Sequence, residues 1–235
     1  MVALLLLPGV DGTAKLRAEF VAALGPGIEP RIVSYPADRA LGYAELTALA
    51  RAALPHDRPY VLLGESFSGP IAITIAAASP PQLVGLVLCG TFARNPHPVL
   101  GSLRSLLPLL PLGLVPMRLI GFFMLGRFAS PRLLAAMRST LAEVSMATVK
   151  TRTAAALGVD VRPTLSKVRV PVLYLHGSED RLVPRRCADV IASAVAQTRI
   201  VDVEAPHFLL QAAPVAAAAA VRTFIETLPQ APAAR

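Results

Sequence analysis

Short apolar runs alternate with amphipathic stretches along much of the chain. Val2 to Leu7, Arg31 to Ser34, Tyr60 to Leu63, Val84 to Leu88, Val172 to Leu175 and Arg199 to Val203 predict six strands. Several are apolar on both faces, as buried parallel strands are. Lys15 to Leu24, Tyr43 to Leu54 and Ser68 to Ala78 carry helical spacing between them. The repeated order of strand, helix and strand predicts an α/β fold built on a mostly parallel sheet with right-handed crossovers.

The alternation stops after Leu88. From Ala93 to about Val161 the pattern is helical and leucine-rich, with Leu103, Leu106, Leu107 and Leu110 at helical spacing. Ser130 is placed as an N-cap before Pro131 at the first helical position. Residues 93–161 are therefore expected to form a helical cap inserted into a core of 1–92 and 162–235. The alanine run Ala216 to Ala220 follows Pro214 and predicts the last helix.

Composition narrows the class. The 235 residues are 54% hydrophobic and 16% charged, an apolar chain with a thin charged surface, which excludes a disordered protein. Cys89 and Cys187 make neither a disulfide framework nor a paired metal site, and a reducing, cytoplasmic setting fits them. The net charge of +8 comes mostly from scattered arginines without a dense basic run, which argues against nucleic acid as a partner. The opening apolar residues lack a basic n-region and read as a buried strand rather than a signal peptide. Arg104, Arg118 and several prolines interrupt Val99 to Phe128, so no transmembrane span is expected, while contact with a membrane surface stays open.

The sharpest chemical signal is Leu62-Leu63-Gly64-Glu65-Ser66-Phe67-Ser68-Gly69-Pro70. A strand ends at Leu63, a helix begins near Ser68, and Ser66 stands on the tight turn between them. Such an elbow strains the serine backbone, exposes its hydroxyl and tolerates only small neighbours. Ser68 occupies the place of the second glycine in G-x-S-x-G, with Gly69 one residue later. A serine needs a base, and His176 and His207 both follow strands, where open parallel sheets gather functional groups. His56 and His97 fall in proline-flanked loops and are expected to be solvated. The order serine, acid, histidine favours Asp180 and His207, with Glu179 as the alternative acid and His176 as a structural residue.

Three motifs now stand together: Gly64 to Gly69, His176-Gly177-Ser178-Glu179-Asp180-Arg181-Leu182-Val183-Pro184, and Pro206-His207-Phe208. They resemble the nucleophile elbow, acid loop and histidine loop of the α/β-hydrolases, and the resemblance extends over nearly the whole chain. It implies a Ser66, Asp180, His207 triad, with the backbone N–H groups of Phe67 and Val10 as the oxyanion hole. The loop Pro8-Gly9-Val10-Asp11-Gly12-Thr13 has proline where many relatives have histidine, and Asp11 is expected to bond its own turn.

The resemblance implies hydrolysis of a small-molecule carboxylic ester through an acyl-enzyme, with no metal or organic cofactor. A thioesterase, an acyltransferase and a non-catalytic receptor of the same fold stay open as alternatives. The apolar cap is similar to that of pimeloyl-acyl-carrier-protein methyl ester esterases, and an acidic acyl carrier protein is the partner this would imply. Leu114 to Leu125 is apolar on too many sides for one buried face. Met117, Phe122 and Phe123 are therefore expected to line an acyl channel, with a helix buried between cap and core as the alternative.

Overall fold

The computed structural model describes residues 2–102 and 104–228. Six strands, β1 (Val2–Leu7), β2 (Ile28–Ile32), β3 (Tyr60–Glu65), β4 (Leu83–Cys89), β5 (Val172–Gly177) and β6 (Thr198–Val203), form one sheet. Its order is β2-β1-β3-β4-β5-β6 and every pair is parallel. The helices are α1 (Ala18–Leu24), α2 (Tyr43–Ala52), α3 (Gly69–Ala77), α4 (Pro98–Gly101), α5 (Met117–Met124) and α6 (Pro131–Ala142). They continue with α7 (Met146–Gly158), α8 (Arg162–Leu165), α9 (Arg186–Ala194), α10 (Leu209–Ala212) and α11 (Pro214–Thr227).

The two-residue period of a strand sorts the core into two layers. Leu5, Leu62, Leu88 and Tyr174 face one cluster with Leu46, Ile71 and Ile191 from α2, α3 and α9. Leu6, Leu63, Val87 and Leu175 face the other, with Phe20 of α1 and Val221 of α11. A fully buried leucine contributes roughly 1.5–3 kcal/mol over an exposed one, so these central strands hold the fold.

One strand lies three residues earlier than the apolar run Arg31 to Ser34 suggests. β2 contains Pro30, which has no N–H, and an edge strand tolerates it because one side of its ladder has no partner.

Between β4 and β5 the chain is helical. Its ends meet where Arg94 and Asp160 form an antiparallel bridge, flanked by Val161 N–H to Ala93 O (2.7 Å) and Asn95 N–H to Val159 O (3.1 Å). The leucine pattern from 103 to 110 does not make an α-helix. Arg104–Leu109 and Leu112–Leu114 are 3₁₀ turns, because the prolines at 108 and 111 cannot donate to an α-helical ladder. Leu103 lies outside the described residues. Ser130 does cap α6, its Oγ accepting from Leu133 N–H at 3.2 Å. Cys89 and Cys187 are both buried and free. Among the described residues no helix is long and apolar enough to cross a membrane.

Candidate active site

The sheet order reverses direction between β1 and β3, and at such a switch point the loops beyond the strand ends part to leave a crevice. Ser66 stands there, in the first turn after β3, with φ of +49°. That left-handed conformation is uncommon for a residue with a side chain and requires close support. A Cβ on Gly64 would lie 2.7 Å from Ala72 Cβ, and one on Gly69 would collide with Thr91. The close approach usually met by the second motif glycine has therefore moved to Gly69. Ser68 fits because its buried Oγ donates to the Pro8 carbonyl and meets Tyr35 Oη at 2.9 Å.

Ser66 Oγ lies 2.8 Å from His207 Nε2, and His207 Nδ1 lies 2.8 Å from Asp180 Oδ2. The other Asp180 oxygen accepts the backbone N–H groups of Leu182 and Val183, each at 2.8 Å, which fixes the carboxylate. Burial opposes a charged imidazole, but the Asp180 charge and hydrogen bond, with a smaller effect from Glu65, outweigh it. The His207 pKa consequently lies above the ordinary histidine value. Such a chain can take a proton from a hydroxyl and hold the resulting imidazolium.

The remaining candidates separate cleanly. Glu179 is drawn outward to Arg127 (2.6 Å), and His176 bonds Asp202 at 2.8 Å, a structural pair. His97 departs from expectation. It is half-buried, lines the larger cavity beside Ser66 and donates from Nε2 to the Leu182 carbonyl at 2.8 Å.

Two buried arginines grip the loop after β1. Arg17 donates from Nε to Glu65 (2.7 Å) and from Nη1 and Nη2 to the two oxygens of Asp11 (2.9 and 3.1 Å). Asp11 also accepts Thr13 N–H at 3.1 Å, the expected turn bond. Burial disfavours its carboxylate, yet Arg17 and Thr13 hold its pKa below the usual value. On the other flank Arg152 of α7 donates to the carbonyls of Val10 and Pro36, both at 2.8 Å. It has no carboxylate partner among the described residues, and burial lowers its pKa. Neither stands out in the sequence from the other scattered arginines.

Two cavities meet at Ser66. The larger, about 350 Å³, is mostly apolar, with Phe67, Phe92, Met124, Ala156, Leu157 and Val183 in its wall. The smaller, about 30 Å³, reaches His207 past Ile120 and Met137. Val10 and Phe67 both border the larger one. Met117, Phe122 and Phe123 border neither. α5 turns Ile120 and Met124 inward, and one helical period therefore sends Phe122 and Phe123 outward, where they are exposed. Ile120 and Met124 of the same helix border the cavities in their place.

The sequence profile described as serine aminopeptidase, S33, matches residues 42–209. No curated protein matches by sequence. A solved hydrolase from Pseudomonas aeruginosa PA01 is 20% identical, with a TM-score of 0.78 over 95% of this chain and 89% of that one. The enol-lactonase from Burkholderia xenovorans LB400 is 18% identical, with a TM-score of 0.77 over 96% and 91%. An esterase from Exiguobacterium antarcticum is 16% identical, with a TM-score of 0.78 over 97% and 92%. At these identities the likeness is one of fold.

Proposed function

We propose that this chain, which belongs to the serine aminopeptidase S33 family of α/β-hydrolases, hydrolyses carboxylic esters with Ser66 as nucleophile, His207 as base and Asp180 as its orienting acid. The observation that carries this reading is the unbroken contact from Ser66 Oγ through His207 to Asp180, 2.8 Å at each step. Ser66 Oγ attacks the ester carbonyl carbon as His207 Nε2 takes its proton. The N–H groups of Val10 and Phe67 receive the developing oxyanion. The carbonyl re-forms as the alcohol leaves with the proton from His207. Water, deprotonated by His207, then releases the acid and restores Ser66. Asp180 holds the imidazole in the required tautomer and stabilises its charged form.

The apolar wall of the 350 Å³ cavity suits an acyl chain, and residues 93–161 act as the cap that closes over it. An amine substrate is a poorer fit. An ammonium group calls for a free carboxylate, and the larger cavity has none in its wall, while Asp11 and Glu65 beside the smaller one are both paired with Arg17.

A fluorophosphonate probe tests the nucleophile. Peptide mapping is expected to find the adduct on Ser66 and none on Ser68. An adduct on another residue, or none at all, overturns the assignment.

A further inference from the structure

Of the exposed large apolar side chains among the described residues, all but Val190 and Val215 belong to residues 93–161. They include Leu114 at 79% exposure, with Leu119, Phe122 and Phe123 on the outer face of α5. The inner face of that helix is committed. Gly121 packs on Leu134 of α6, and Ile120 and Met124 border the cavities at Ser66. The outer face is thus apolar and exposed, covered only in part where the Arg181 guanidinium lies 4.3 Å over the Phe122 ring. A patch of this kind on a soluble surface marks an interaction site.

The segment that carries it holds charge of one sign, although Arg94, Arg127 and Arg132 are paired with acids from elsewhere in the chain. Residues 66–142 contain six arginines and no aspartate or glutamate. Arg118 shares the outer face of α5 and Arg138 is exposed on α6, while Arg104 is exposed farther off, against Gly158 at the end of α7. None of these three pairs with a carboxylate among the described residues. We propose that the outer face of α5, with Leu114 beside it, docks on an anionic lipid surface. There the apolar side chains enter the acyl boundary, and the arginines meet the headgroups.

The two alternatives fit less well. A second copy in a two-fold contact would bring the same patch against itself, Arg118 toward Arg118, with no acid in the surrounding segment to offset it. An acidic protein would satisfy the arginines but leave Leu114, Leu119, Phe122 and Phe123 against charge. Docking also places the wall of the cavity at the lipid boundary, because the residues between the docking side chains reach Ser66. It does not depend on the ester reading, since the patch lies apart from Ser66, His207 and Asp180.

The test is sedimentation of the full chain with vesicles of phosphatidylcholine alone or mixed with phosphatidylglycerol, using Ser66→Ala so that turnover plays no part. Binding to the mixed vesicles is expected to exceed binding to the neutral ones by roughly tenfold or more, and Arg118→Glu or Leu119→Asp to remove most of that gain. Leu114→Asp, outside the helix, serves the same purpose should Leu119→Asp unfold. In the Ser66-containing protein, Leu119→Asp and Arg118→Glu should hydrolyse a soluble short-chain ester at the parent rate. Equal binding to both vesicles, or full binding by all three variants, overturns the proposal. So does light scattering that shows a dimer which Leu119→Asp converts to a monomer. Loss of hydrolysis in every protein, with vesicle binding intact, would sink the ester reading and leave this one standing.

Discussion

Arg152 Nη1 donates to the Val10 carbonyl at 2.8 Å, tying α7 to the loop proposed to hold the oxyanion. The cation is buried without a carboxylate, which costs stability, and its two carbonyl bonds offset part of that cost. Arg152→Met removes both effects, so its stability should stay within about 1–3 kcal/mol of the parent. Turnover should respond more strongly. Loss of an oxyanion donor costs about 10²–10³ in kcat, and a loosened Val10 should cost a part of this, on the order of tenfold. Steady-state kinetics should show kcat falling with KM little changed, and Arg152→Lys falling between the two proteins.

Arg17 is expected to matter mainly for folding. Its removal leaves Asp11 and Glu65 facing each other in the interior, and breaking a buried pair in this way costs about 3–5 kcal/mol. Denaturant unfolding of Arg17→Met measures this. The acid response should also change sign. In the parent, the Asp11 pKa is lowered on folding, so its contribution is present above the unfolded value and is lost as pH falls through the folded one. Without Arg17, burial, the largest influence on that carboxyl, would be opposed only by the weaker Thr13 bonds and would raise its pKa, so Arg17→Met should gain stability on mild acidification where the parent does not.

Much of the frame was legible in the sequence because strand burial and helix periodicity are local signals. β1, β3, β4, β5 and β6 lie within two residues of their apolar runs, while Pro30 hid the true extent of β2. Ser66, Asp180 and His207 could be picked out together because each falls in the loop or turn beyond the carboxyl end of a strand, β3, β5 and β6. Arg17 and Arg152 were missed because burial of an arginine is a tertiary fact. A trace existed for Arg17, which shares the inward stripe of Phe20 and Leu24, and for Arg152, four residues after buried Thr148. Phe122 and Phe123 misled for the converse reason: α5 is apolar on both sides, and periodicity could not say which side faced the cavity.

The raised His207 pKa sets the expected pH profile. Neutral His207 is the active form, so kcat/KM should rise with pH and level off in the alkaline range. The half-rise should lie above the ordinary histidine value of about 6.5. A profile flat from mildly acidic to alkaline pH, with chemistry rate-limiting, would remove His207 as the base.

Chain-length preference should follow the cavity wall rather than the exposed rings. Each methylene of the acyl chain that enters the cavity should add up to ~0.8 kcal/mol to the specificity for longer esters until the space is filled. Ala156→Phe should narrow the cavity and shift the optimum toward shorter chains, while Phe122→Ala should leave the optimum in place. A series of p-nitrophenyl esters of increasing acyl length reads both variants.

The measurement that bears most directly on the central claim is hydrolysis of a soluble p-nitrophenyl ester by the parent, Ser66→Ala and Ser68→Ala, each checked for an unchanged fold. Ser66→Ala should lose activity by a factor on the order of 10³ or more, since only binding and oxyanion stabilisation remain, and Ser68→Ala should retain turnover. Parent-level hydrolysis by Ser66→Ala, with activity lost in Ser68→Ala, would contradict the account.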